Sequence, residues 1–121
     1  MREIKFRAKD ASDSKEWLYG SIIHITEYCD SYGDIRNVDW WQVVEYDGVA
    51  TSIDKNTIGQ YTGLEDKNGK EIYEGDIVYV ELEDENAAIE WDNETARFIL
   101  SFDDWFADFD NYYGKDLEVI R

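Results

Sequence analysis

The chain holds one histidine, His24, and one cysteine, Cys29, five positions apart. An imidazole beside a thiol would supply a base and a nucleophile. No residue pattern orients the two toward each other. The carboxylates of Glu27, Asp30 and Asp34 around Cys29 would also hold its thiol protonated rather than activate it. A Ser-His-Asp triad would need the same histidine, and no nucleophile-elbow sequence is present. The residue types favour a structural Cys29 and a His24 at the surface or in the core.

Metal chemistry meets a similar shortage. Structural zinc takes four Cys or His ligands, and the chain has two such residues. Asp103, Asp104, Asp108, Asp110 and Asp116 are clustered, which raises calcium. A calcium loop starting at Asp108 would have Asp110 third, but Tyr112 fifth and Tyr113 sixth, where an oxygen ligand and a glycine are required. Only an irregular cation site survives that test. With 29 acidic residues, close carboxylate pairs arise by chance and mark no acid–base site. Gly59, Gly63, Gly69 and Gly75 sit in turns without a following helix, so no phosphate-binding loop is formed. The inventory predicts no catalytic, cofactor-binding or metal-ligating residue, and a protein that is not an enzyme. Trp40-Trp41 is the one pair suited to stacking. Neighbours in a strand face opposite sides, so one can enter the core while the other is exposed; core packing is the favoured reading, and an exposed Trp would mark an interface.

Charge points the same way. The 121 residues carry 29 acids against 12 bases, a formal charge of −17. Residues 74–118 alone hold 15 acids against Arg97 and Lys115. Such a surface repels phosphates, so direct nucleic-acid binding is not expected. It suits basic partners, cations or plain solubility. A single cysteine rules out an intrachain disulfide. The opening Met1-Arg2-Glu3-Ile4-Lys5-Phe6 has no apolar run of signal-peptide type, and no stretch is apolar enough for a membrane helix. A cytoplasmic protein without a membrane partner is the expectation.

The elements that must position these residues read as strands. Five Trp, nine Tyr and five Phe favour half-buried pleated surfaces. Ile4, Phe6 and Ala8 alternate with Glu3, Lys5, Arg7 and Lys9. Trp17 to Ile25 is a strand, with Gly20 marking a bulge or a close backbone approach. Glu27 to Val38 reads as a loop, Trp40 to Tyr46 as a strand, Asp47-Gly48 as a turn, and Ala50 to Asp54 as a short strand. Asn68-Gly69 predicts a type I′ hairpin turn, with positive φ at both residues. Ile77 to Val80, Ala87 to Trp91, Ala96 to Leu100 and Asp116 to Ile120 follow as strands. Val78 and Val80 should face inward, and Ile77 and Tyr79 outward. Phe102, Trp105, Phe106, Phe109 and Tyr113 recur at helical spacing, which predicts one short helix near 102–112. Short strands between tight turns suggest one mainly β domain over 1–121, a small barrel or sandwich.

The stretch GQYTGLEDKNGKEIYEGDIV, residues 59–78, resembles the diagnostic segment of the YopX family of small phage and prophage proteins. MREIKFRAKD, AAIEWDNETARFIL and YYGKDLEVI are also similar to that family, whereas residues 16–50 match it least. The resemblance implies an SH3-like barrel, here approximately 57–121, with additional N-terminal strands. It implies a phage or prophage origin in a bacterial cytoplasm, and it carries no activity or catalytic residues. Gly63, Gly69, Gly75 and Asp76 have a structural explanation of their own in turn formation.

Together these readings favour a non-enzymatic accessory protein that binds another protein or itself. One alternative is an acidic decoy that occupies a basic nucleic-acid-binding host protein. The other is a small-molecule binder or enzyme whose site has no recognisable pattern.

Overall fold

A computed structural model describes residues 4–120, and it is mainly β, with single turns of 3-10 helix between strands. Glu3 of the expected first strand and Arg121 of the expected barrel segment lie outside the described residues. Two compact units are formed, residues 5–58 and residues 59–120 together with Ile4. Every strand pair within either unit is antiparallel.

The first unit contains β1 (Phe6–Lys9), β2 (Trp17–Cys29), β3 (Ile35–Val44) and β4 (Ala50–Ser52), in the order β4-β3-β2-β1. Its core face carries the buried Ala8, Val43 and Ile53, with Leu18, Ile22, Trp41 and Ile58 packed against them. Gly20 meets the close approach expected of it. A Cβ there would lie 2.1 Å from the Val44 carbonyl oxygen, so no larger residue fits.

The expected loop at Glu27–Val38 is corrected by the structure. β2 runs on to Cys29, the turn occupies residues 30–34, and β3 begins at Ile35. The physical reason is exposure. Glu27, Tyr28, Cys29, Ile35, Arg36 and Asn37 are all solvent-exposed in this two-stranded ribbon, so no buried face imposes an alternating pattern. Backbone pairing of Glu27 with Asn37 and of Cys29 with Ile35 holds the ribbon instead.

The second unit begins with a hairpin of β5 (Gly59–Glu65) and β6 (Glu71–Tyr73). It continues with β7 (Ile77–Val80), β8 (Glu85–Asp92), β9 (Arg97–Ser101), β10 (Phe106–Asp108) and β11 (Leu117–Ile120). These five form a sheet in the order β10-β9-β8-β7-β11. β10 and β11 are its edges, so among the described residues hydrogen bonding does not close it into a barrel. Val78, Val80, Ile89, Leu100 and Leu117 are fully buried on its inner face. Ile72 and Leu64 of the hairpin, with Phe102, Phe109 and Tyr112, complete that core. Ile77 and Tyr79 face outward, as the alternation of residues 77–80 requires.

The hairpin forms at Asn68-Gly69, but its turn type differs from the expectation. Gly69 has φ of 81°, whereas Asn68 is not among the positive-φ residues. The Gly69 amide donates to the Asp66 carbonyl at 3.0 Å, and the Asp66 amide donates to the Lys70 carbonyl at 2.8 Å. This is the three-residue loop that ends in a left-handed glycine. The Asp66 carboxylate selects it, because Oδ1 accepts from the amides of Asn68 and Lys70 at 2.8 and 2.9 Å. The same device closes the β2–β3 ribbon. Asp30 Oδ1 accepts from the amides of Tyr32 and Asp34, and Gly33 has φ of 84°. Asp-x-x-Gly is therefore this fold's hairpin signal, used at both Asp30 and Asp66.

The expected helix near 102–112 is replaced by a turn, strand β10 and a 3-10 turn at Phe109–Asn111. The aromatic residues do not share one face. Phe102 and Phe109 are buried, whereas Phe106 and Tyr113 are exposed. Pairing of Phe106–Asp108 with β9 satisfies that backbone as a strand. Asp108 then accepts from the Asp110 amide, a local bond of the kind that competes with helix. Short helices rich in Asp and aromatics have little intrinsic stability to oppose this.

Candidate interaction site

Trp40 and Trp41 are separated by the pleat of β3. Trp41 lies partly buried against the core of the first unit, and Trp40 is 46% exposed on the opposite face. The Trp40 indole Nε1–H donates to Ser52 Oγ at 2.7 Å, which fixes the ring over β4. Cross-strand register places Ile25 opposite Trp40 and Ile23 opposite Gln42. Tyr19, Ser21, Ile23 and Ile25 thus share the Trp40 face with Gln42 and Val44. Tyr19 and Ile23 are exposed there. The result is an aromatic and aliphatic surface on rigid strands, in which each side chain is held by backbone pairing beneath it.

On the reverse face a polar cluster gathers around Asp39. A register shift lies next to it. Ile25 pairs with Trp40 and Glu27 with Asn37, so two residues of β3, Val38 and Asp39, oppose Thr26 alone. A bulge of this kind re-aims a side chain. Here the Asp39 carboxylate reaches three donors. Oδ1 lies 2.6 Å from His24 Nε2 and 2.9 Å from the Trp41 indole nitrogen, and Oδ2 lies 3.1 Å from Lys55 Nζ. The bond from His24, then those from Lys55 and Trp41, hold the Asp39 carboxyl down to about 2. The carboxylate is therefore ionised at neutral pH, and His24 Nε2 carries the proton that it accepts. The imidazole is also stacked on Trp41, with centroids 3.8 Å apart and planes 13° apart.

This cluster separates His24 from Cys29. Five residues of extended strand span about 16 Å, and an odd spacing sends side chains to opposite faces. Cys29 sits opposite Ile35 in the outer ribbon, whereas His24 sits opposite Trp41. The structure does not bring the two together. The aspartates are dispersed as well. Asp108 Oδ2 accepts from Arg97 at 2.6 Å, and Asp116 lies in a turn before β11. Among the described residues, no group of three or more His, Cys, Asp or Glu is placed to hold a metal ion. No helix among them is long and apolar enough to cross a membrane.

Turn and core residues of the segment 59–78 have a structural role. Asp66 shapes its loop, and the Tyr73 amide donates to Asp76 Oδ2 at 2.9 Å to close the turn that leads into β7. Gly75 in that turn has φ of 93°, a value that glycine alone adopts without strain. The family model described as YopX protein matches residues 5–120. The chain belongs to the YopX family. No curated protein matches it. In this YopX chain the segment supplies turns and core, and it also leaves Ile77 exposed on the outer face of the five-stranded sheet. The candidate surface of the first unit lies at Trp40.

Sequence reasoning allowed one tryptophan inward and one outward but left open which. It missed the Asp39 cluster, because Asp39 meets His24 through the pairing of His24 with Trp41, which spacing within one strand does not give. The sole advance signal was an aspartate next to a Trp-Trp pair on a strand edge. The row across the outer face of the five-stranded sheet also went unread, since it takes one residue from each strand.

Proposed function

We propose that this YopX chain is a non-enzymatic accessory protein of phage or prophage origin, acting in the bacterial cytoplasm by binding another protein or a second copy of itself. The observation that carries this reading is Trp40, exposed yet fixed by Ser52 on a paired strand, opposite Ile25 and near the exposed Ile23. Tryptophan and tyrosine on a preorganised surface are the side chains from which binding hot spots are most often built. The five-stranded sheet, with the β5–β6 hairpin packed on its inner face, supports the SH3-like architecture. Light scattering of the purified protein, with pulldown from host lysate, tests the proposal. A multimer or a captured protein that Trp40→Ala abolishes supports it. A strict monomer that captures nothing overturns it.

Charge favours a second reading, an acidic decoy of a basic nucleic-acid-binding protein. Residues 59–120 hold 18 acids against 4 bases, whereas residues 5–58 hold 10 against 6. This reading requires binding that weakens steeply with salt and competes with DNA. Binding that is unchanged at high salt counts against it.

A further inference from the structure

The outer face of the five-stranded sheet carries one uncharged row across all of its strands, apolar at every strand but β9. Register places Phe106 of β10 opposite Ser101 of β9, and Ser101 opposite Ala88 of β8. Ala88 faces Ile77 of β7, which faces Ile120 of β11. The row therefore reads Phe106, Ser101, Ala88, Ile77, Ile120, with no charged residue in it. Three of its members stand open, Phe106 at 63%, Ile77 at 43% and Ile120 at 45%. Nothing in these strands' inner packing requires apolar residues on this side, because the core lies on the other face.

Carboxylates flank the row on both sides. On one side stand Glu90, Asp92 and Asp108, with Arg97 paired to Asp108. On the other stand Glu118, Glu81 and Asp84, with Lys67 within 2.9 Å of Glu81 and 3.6 Å of Glu118. Asp84 accepts from the Tyr79 hydroxyl, which ties it to the outward face of β7. Each side thus has three carboxylates against one cation.

We infer that this row docks a basic amphipathic helix of a partner protein, with its apolar face on Phe106, Ile77 and Ile120 and its lysines and arginines on the two acidic sides. Dimensions select a helix over an extended segment. Five strands span about 19 Å at their usual spacing, the length of roughly 13 helical residues. Glu90, Asp108 and Glu118 lie two positions from the row on their strands, so the nearest carboxylates of the two sides stand about 13 Å apart, with Asp92, Glu81 and Asp84 farther out. That matches the roughly 10–12 Å diameter of a helix with its side chains. A helix projects cations to both flanks of its apolar stripe, whereas an extended strand points its side chains toward and away from the sheet. A second copy of this face is disfavoured, because it would set carboxylates against carboxylates. This inference rests on the reading of the chain as a protein-binding module, but it does not use the Trp40 face.

The test is fluorescence anisotropy with a labelled synthetic peptide of about 18 residues, five helical turns, with leucine on one face and lysine on its flanks. A scrambled peptide of the same composition, without an apolar face, is the control. Patterned peptide should bind at least about tenfold more tightly than scrambled peptide at low salt. The pair Ile77→Ser with Phe106→Ser, and the pair Glu90→Lys with Glu118→Lys, should each weaken it about tenfold. Trp40→Ala should leave it unchanged, so this site and the Trp40 surface fail separately. Amide NMR shifts in the unsubstituted protein give a readout independent of any variant, and they should concentrate in β7–β11. Equal binding of the two peptides would reduce the effect to bulk charge and overturn the inference. So would shifts centred elsewhere, or no binding at low salt.

Discussion

The amide of Val119 donates to the Asp66 carboxylate at 2.8 Å, across 53 residues of sequence. Asp66 belongs to the β5–β6 hairpin loop and Val119 to β11, the edge strand of the five-stranded sheet. Beside that bond, the Lys67 amide donates to the Leu117 carbonyl at 3.0 Å. The hairpin loop therefore occupies backbone groups on the side of β11 that β7 does not pair. An unpaired edge invites another chain, and covering it with a loop is one of the ways in which folds avoid that. One aspartate thus shapes its own turn through Oδ1 and caps a distant strand through Oδ2.

Removing that carboxylate should be costly. Asp66 is 6% exposed, so Asp66→Ala leaves the buried Val119 amide without its acceptor and frees the loop amides. Hydrogen bonds to charged groups and orphaned buried donors each carry penalties of this order, so the expected loss is about 2–3 kcal/mol. Urea denaturation measures it. Asp30→Ala makes the same change in the exposed ribbon turn and should cost less, because water replaces the carboxylate there. Equal losses at the two positions would remove the special role given to Val119.

The same bond predicts a pH dependence. Burial pushes the Asp66 carboxyl up, but the amides of Val119, Lys70 and Asn68 together outweigh it, and the net position is below the ordinary 3.8. A carboxyl depressed in the folded state stabilises it above the unfolded value and loses that contribution as pH falls through the folded value. The stability gap between the parent and Asp66→Asn should therefore be constant from neutral pH down to about 4, then close below it. Paired denaturation curves over that range check the sign. A gap that widens on acidification would contradict it.

Legibility in the sequence followed burial. Ile77–Val80 was readable as a strand with Val78 and Val80 inward, because one face is dry and the other is not. Ala87–Trp91 and Leu117–Ile120 were readable for the same reason. Thr26–Cys29 and Ile35–Asn37 were not, because that ribbon is wet on both sides and its strands have no period to betray. The aromatic spacing of Phe102–Tyr113 imitated a helix, yet pairing of Phe106–Asp108 with β9 decided the backbone. Surfaces were harder still. Trp40 announced itself by residue type, whereas the row from Phe106 to Ile120 exists only once four strand registers are known. Asp39 meets His24 through the pairing of His24 with Trp41, and a pairing between strands leaves no mark in residue spacing.

Close backbone packing gives a prediction at Gly114. A Cβ there would stand 2.0 Å from the Glu65 carbonyl oxygen, where rigid backbone must move to admit it. Gly33 has open space around it and a φ of +84°. Gly114→Ala should cost about 3 kcal/mol, the upper end for forced overpacking. Gly33→Ala should cost about 1 kcal/mol, the strain of a left-handed backbone alone. Thermal unfolding of the two variants ranks them directly. A reversed ranking would mean that the β5–β6 hairpin yields to the residue at 114.

The two neighbouring tryptophans should separate stability from binding. Trp41 packs on the core of Ala8, Val43 and Ile53 and stacks on His24, so Trp41→Ala opens a cavity beneath the sheet. Its expected cost is about 3 kcal/mol, at the low end for large aromatics because Trp41 is only partly buried. Trp40→Ala removes a ring that is 46% exposed and that donates a hydrogen bond to Ser52. It should change stability by less than about 1 kcal/mol. If the Trp40 face is where a partner or second copy docks, that nearly silent substitution should nonetheless abolish association in light scattering and pulldown. Tryptophan fluorescence offers a matching sign. Emission from Trp40 should shift to the blue on association, because the ring leaves water, whereas the buried side of Trp41 already lacks it. Loss of association in Trp41→Ala but not in Trp40→Ala would place the interface on the core side of the sheet and refute the assignment.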